Sequence, residues 1–198
     1  MVANGRAERM ERRLTPVEPA LLTVSRRELL SDGSDVEFRA LVHRLMSFTR
    51  FIGMTREGLG ALAGVTGVQY EIMMWVSRLQ GADGVTVGEI GAAMRQSGAF
   101  TTIEAGKLVE KGLLEKSADL KDRRRVRLRY TAKWQNTLRA VCPYQQQIND
   151  AVFASLTPRD LQELNRIFRD LLVGADRGTH LIDFILKEQE GAAAQNGF

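Results

Sequence analysis

The sequence predicts a mainly α-helical fold with one small β-hairpin, and three observations predict it. Apolar residues recur at spacings of three and four in several separate stretches, as one face of a helix requires. Two short strand-like segments, 113–117 and 126–130, flank a polar, strongly basic tip. Helix caps and glycine stops fall where these patterns begin and end.

Taken in order, residues 1–34 mix arginine, glutamate and two prolines without sustained periodicity and end in the breaker cluster Ser31-Asp32-Gly33-Ser34, which predicts a loose arm. From Asp35, the stripe Phe38, Leu41, Val42, Leu45, Phe48 and Ile52 predicts a long helix reaching toward Leu62. A second helix carries Val68, Ile72, Trp75, Val76 and Leu79 and closes at Gly81-Ala82-Asp83-Gly84. Thr86 stands three residues before Glu89, the spacing of a capping box, and opens a short third helix with Val87, Ile90 and Met94 on its apolar face. After a turn at Arg95 and Gln96, Ser97 caps a fourth helix that Gly112 stops. Short helix, tight turn and second helix have helix-turn-helix spacing, and the hairpin that follows makes a winged helix-turn-helix. Helix resumes after Thr131 to about Phe153. Thr157-Pro158 then supplies a cap and a first-turn proline for a helix striped by Leu161, Leu164, Ile167, Phe168, Leu171 and Leu172 and prolonged by Leu181, Ile182, Phe184, Ile185 and Leu186.

Composition excludes several classes. At 198 residues, with 44% apolar and 26% charged residues, the chain suits a folded domain with appendages. Its longest uncharged run, Gly58 to Tyr70, has 13 residues, short of the roughly 18 a membrane span needs. The N-terminus lacks an apolar core of signal-peptide length, so a cytoplasmic location and no membrane partner are expected. One cysteine, Cys142, and two distant histidines offer no disulfide or metal cluster, so no metal or other cofactor is expected. A glycine-rich phosphate loop, a metal-spaced His/Glu pair and a nucleophile elbow are all absent, which argues against an enzyme.

Charge points to a polyanionic partner. The net charge is +4, but residues 107–133 hold ten basic against four acidic residues, a surplus of six, which leaves the remainder net negative by two. At the tip, Lys121, Arg123, Arg124 and Arg125 are placed to hold phosphates or enter a minor groove, with Asp122 bracing Arg124. On the fourth helix, Ser97, Gly98, Thr101 and Thr102 occupy the first two turns, where hydroxyls and backbone amides reach bases or phosphates, and Lys107 adds a phosphate contact. Phe100 and Ile103 are expected in the core. Double-stranded DNA is the partner these residues select.

The stretch Thr86 to Thr131, together with Ser155-Leu156-Thr157-Pro158-Arg159-Asp160-Leu161-Gln162-Glu163-Leu164, resembles the MarR family of bacterial transcriptional regulators. The resemblance spans roughly residues 35–175. Its most specific part is Leu108-Val109-Glu110-Lys111-Gly112-Leu113-Leu114-Glu115-Lys116, followed by Asp119, Asp122-Arg123-Arg124, Leu128 and Thr131. It implies a homodimer whose first and last helices intertwine (residues 35–65 and 132–188), with winged domains (66–131) each reading half of a palindromic operator. The arm before Asp35 and the tail after Gly178 exceed the usual family length, and residues 189–198 are expected to fray. It also implies a repressor released by a small aromatic carboxylate or phenolic effector, in a pocket lined by His43, Phe48, Arg50, Met73 and Trp75. Ile103 departs from the family pattern, which is often basic there. The alternative of another class is a winged-helix module that docks an acidic protein and has no operator of its own. Cys142 reads as a small apolar residue, with Pro143 beside it, and not as a redox sensor.

Overall fold

The computed structural model describes residues 21–119 and 125–195. Its elements are α1 (Val36–Leu62), α2 (Gly67–Leu79), β1 (Val85–Thr86), α3 (Val87–Met94), α4 (Gly98–Glu110), β2 (Leu114–Ala118), β3 (Val126–Tyr130), α5 (Ala132–Phe153) and α6 (Pro158–Gln195). The chain divides into two compact units, residues 1–144 and 145–198. Among the described residues, no helix is long and apolar enough to cross a membrane.

In the first unit, local signals set the helix boundaries. Thr66 and Thr86 each form a reciprocal capping box, with Gln69 and Glu89 respectively, at the starts of α2 and α3. The ends of α1, α3 and α4 share one device. In each, a residue at the cap or just after it is left-handed (Arg95, Gly64, Gly112), its N–H bonds back three residues, and the next N–H bonds back five. Arg95, at φ 54°, is the non-glycine member of the three and sits in the turn of the helix-turn-helix.

The sheet has the order β1-β3-β2, antiparallel throughout, with Val85 opposite Leu128 and Leu114 opposite Tyr130. Strand β1, two residues long, was not visible in the sequence pattern. The core gathers Ile72, Met73, Val76, Ile90, Leu108, Leu128 and Trp134, each 0% exposed. Trp134 meets Tyr70 edge-on with centroids 6.0 Å apart, and this contact fastens the start of α5 to α2.

The segment expected to be loose is described from residue 21 and is tied to α1. The Thr23 N–H and hydroxyl both donate to Asp35 Oδ2 (2.6 and 2.7 Å), and Arg39 pairs with Oδ1 at 2.9 Å. These contacts, the Thr23 hydroxyl foremost, hold the Asp35 carboxyl below its ordinary range.

In the second unit, α6 starts from Thr157, whose hydroxyl accepts from Asp160 N–H (3.2 Å) while Asp160 accepts from Thr157 N–H (2.9 Å). The helix is one piece of 38 residues, about 57 Å long, and helical through the tail as far as Gln195. Every large apolar residue on it from Leu161 to Leu186 is between 36% and 58% exposed.

Candidate nucleic-acid interface

The helix-turn-helix is α3, the Arg95-Gln96 turn and α4. Its tightness depends on Gly91, where a Cβ would stand 3.2 Å from both Gln96 O and Thr101 Oγ1, so the turn folds onto α3 through a bare backbone. A polar hub then orients α4. Buried Gln69 donates through Nε2 to Glu104 Oε2 (3.0 Å) and accepts from Lys111 Nζ (3.2 Å), which links the first turn of α2 to the middle and end of α4. Glu104 also accepts from Lys107 Nζ at 2.6 Å, and that bond leads the contacts that lower its pKa.

Thr101, Ala105 and Leu108 form the inner face of α4. Thr101 is therefore removed from the expected contact set: it is 1% exposed and its hydroxyl donates to Ser97 O at 3.0 Å. Ser97, Gly98 and Thr102 are exposed, with Ser97 capping Phe100 N–H (3.2 Å) and Thr102 donating to Gly98 O (2.7 Å). Lys107 is exposed but shares its charge with Glu104. Phe100 and Ile103, expected in the core, are 38% and 60% exposed. Small residues took the inner positions because α4 lies close against α3, leaving the bulky pair outside.

The wing is anchored at its base. Buried Asp119 accepts from Arg127 Nε at 2.6 Å, and Arg127 Nη1 donates to Gly84 O at 2.8 Å. Arg129 donates to Ala82 O, and Tyr130 N–H to Gln80 Oε1 at 3.1 Å. Two arginines that swell the basic count thus hold the hairpin against the 80–84 loop, a role no local spacing announces. Lys111 and Lys133 likewise reach backbone carbonyls, of Gly64 and Lys111. Lys116 and Arg125 lie exposed on the wing. Glu89 is held ionised chiefly by the Thr86 N–H and hydroxyl, with the charges of Arg127 and Arg125 adding to the effect. Lys121, Asp122, Arg123 and Arg124 lie outside the described residues.

The five residues assigned to an effector pocket are not gathered on one accessible surface. Met73 is 0% exposed and Trp75 half-buried on α2. His43, Phe48 and Arg50 are exposed on α1, and His43 and Phe48 stand roughly 140° apart around its axis. Phe48 stacks on Phe51 with centroids 6.1 Å apart.

Capped short helix, glycine-tight turn, outward-facing second helix and anchored hairpin define a winged helix-turn-helix protein. Residues 63–125 match the MarR family model, the same family that the sequence resembles. No curated protein matches the chain. Among solved structures it is similar to MepR of S. aureus in complex with DNA (15% identity, TM-score 0.54, covering 76% of this chain and 99% of that one). It is also similar to the transcriptional regulator BldR from Sulfolobus solfataricus (20%, 0.56, 68% and 96%). A third is a MarR family regulator from Silicibacter pomeroyi (18%, 0.60, 68% and 88%). At these identities the likeness is one of fold.

Proposed function

We propose that this protein is a DNA-binding transcription regulator and not an enzyme, acting in the cytoplasm as a homodimeric repressor on a two-fold symmetric operator. The observation that carries the proposal lies within one unit: a helix-turn-helix whose second helix turns an exposed face outward, beside a wing in the segment that holds the surplus of six positive charges. Such a pair suits a major groove with flanking phosphates. The likeness in fold to MepR, solved on DNA, supports the same reading.

The apolar face of α6 supports the homodimer. It leaves Leu164, Phe168, Leu171, Ile182 and Ile185 exposed on one side of the helix in a single chain, a contiguous apolar stripe that a second copy would close. A small aromatic carboxylate or phenol is proposed as the effector. Exposed His43 and Arg50 lie about 20° apart around α1 and supply basic groups for its carboxylate or hydroxyl, whereas Phe48 stands on the other side of the helix and buried Met73 is left out.

The test is selection of duplexes from a random library by purified protein at moderate salt, followed by sequencing of the bound pool. A two-fold symmetric motif whose binding weakens steeply with salt is the expected result. A pool without enrichment overturns the proposal in favour of a winged module that docks an acidic protein.

A further inference from the structure

The outer face of α4 is apolar where base-reading helices usually carry hydrogen-bonding forks. Between Gly98 and Glu110 there is no arginine, asparagine, glutamine or histidine. The arginine, asparagine and glutamine forks that read guanine or adenine are therefore lacking on this helix. Of its polar groups, the Thr102 hydroxyl donates to Gly98 O and Lys107 is held by Glu104. Besides these and Glu110 at its last position, what the helix turns outward is Ala99, Phe100 and Ile103.

Ile103 is the most prominent of these. At 60% exposure it stands about 140–160° around the helix from each of the buried residues Thr101, Ala105 and Leu108. A single exposed isoleucine is ordinary on a protein surface. Its neighbours set this one apart, since Phe100 lies one turn earlier at 38% exposure and the Thr102 side chain, its proton committed to the backbone, offers a methyl beside it.

Resting on the DNA-binding reading above, we propose that Ile103, with Phe100 and Thr102, determines specificity by contacting the 5-methyl groups of thymines in the major groove. The thymine methyl is the apolar feature of the major-groove edge, and burying it against aliphatic or aromatic carbon discriminates thymine from cytosine without a hydrogen bond. The operator half-site consequently carries thymines opposite α4.

The experiment starts from the duplex enriched by selection and replaces each thymine in turn by deoxyuridine, which removes one methyl and no hydrogen-bonding group. Affinity is expected to fall about fourfold at one or two thymines per half-site. Ile103→Ala, with unchanged thermal unfolding, is expected to bind thymine and uracil duplexes alike at those positions. Equal affinity for every uracil duplex, an Ile103→Ala protein that still discriminates, or a half-site without thymine overturns this inference while DNA binding stands. Failure to bind any duplex overturns the DNA-binding reading and takes this inference with it.

Discussion

The winged unit and α6 treat their apolar residues in opposite ways. Around Trp134, Ile72 and Leu128 the chain seals its own core, with side chains at 0% exposure drawn from α2, β3 and α5. Along α6, leucines and phenylalanines at the same helical spacings remain between 36% and 58% exposed over 38 residues. The core around Trp134 is closed within one chain, whereas the apolar face of α6 is left open. On the proposed homodimer, stability around the first is intramolecular and along the second depends on protein concentration.

The strongest way to break the contrast is Trp134→Ala. Removing a fully buried indole that packs edge-on against Tyr70 should cost about 3–5 kcal/mol, read by urea unfolding, and should do so at any protein concentration. Leu171→Glu probes the other side. It should leave the winged unit folded by circular dichroism yet weaken self-association at least about tenfold in sedimentation, because it sets a charge in the face proposed to meet a second copy. Unchanged association would make α6 something other than the dimer contact.

Smaller effects sharpen the picture within the winged unit. Thr86→Ala removes the hydroxyl that accepts from Glu89 N–H and should cost about 1 kcal/mol. The smallest effect concerns Asp35, whose folded carboxyl lies below its ordinary range. Its contribution is fully present above the unfolded carboxylate value of about 3.9 and is lost as pH falls through the lower folded value. Thr23→Val, which deletes the leading donor, should therefore lower stability at neutral pH and lose that difference as pH falls below about 4, so that the acid limb of its stability-against-pH curve is flatter.

What the sequence made legible was local. The Thr86 and Glu89 pair, Ser97, Gly112 and Thr157-Pro158 mark helix ends through bonds between residues three to five apart, and the structure keeps each of them. Long-range pairing escaped the pattern. Strand β1 exists because Val85 meets Leu128, some forty residues away, and Arg127 and Arg129 brace the hairpin through carbonyls of the 80–84 loop. The rotation of α4 about its axis was misread for a related reason. Phe100 and Ile103 are its most hydrophobic bulky residues near the start, but Gly91 draws the turn so close that only Thr101 and Ala105 fit inward. The interface inherits that inversion, since the residues expected to pack now face outward and one expected to reach DNA packs.

The proposed homodimer joins two winged units through the exposed apolar face of α6 to read a symmetric site. Its most direct test compares a duplex carrying both inverted half-sites with one carrying a single half-site, measuring affinity and mass of the complex together. Two chains per duplex and much tighter binding to the double site are the predicted result. One chain per duplex with equal affinity for both would contradict it.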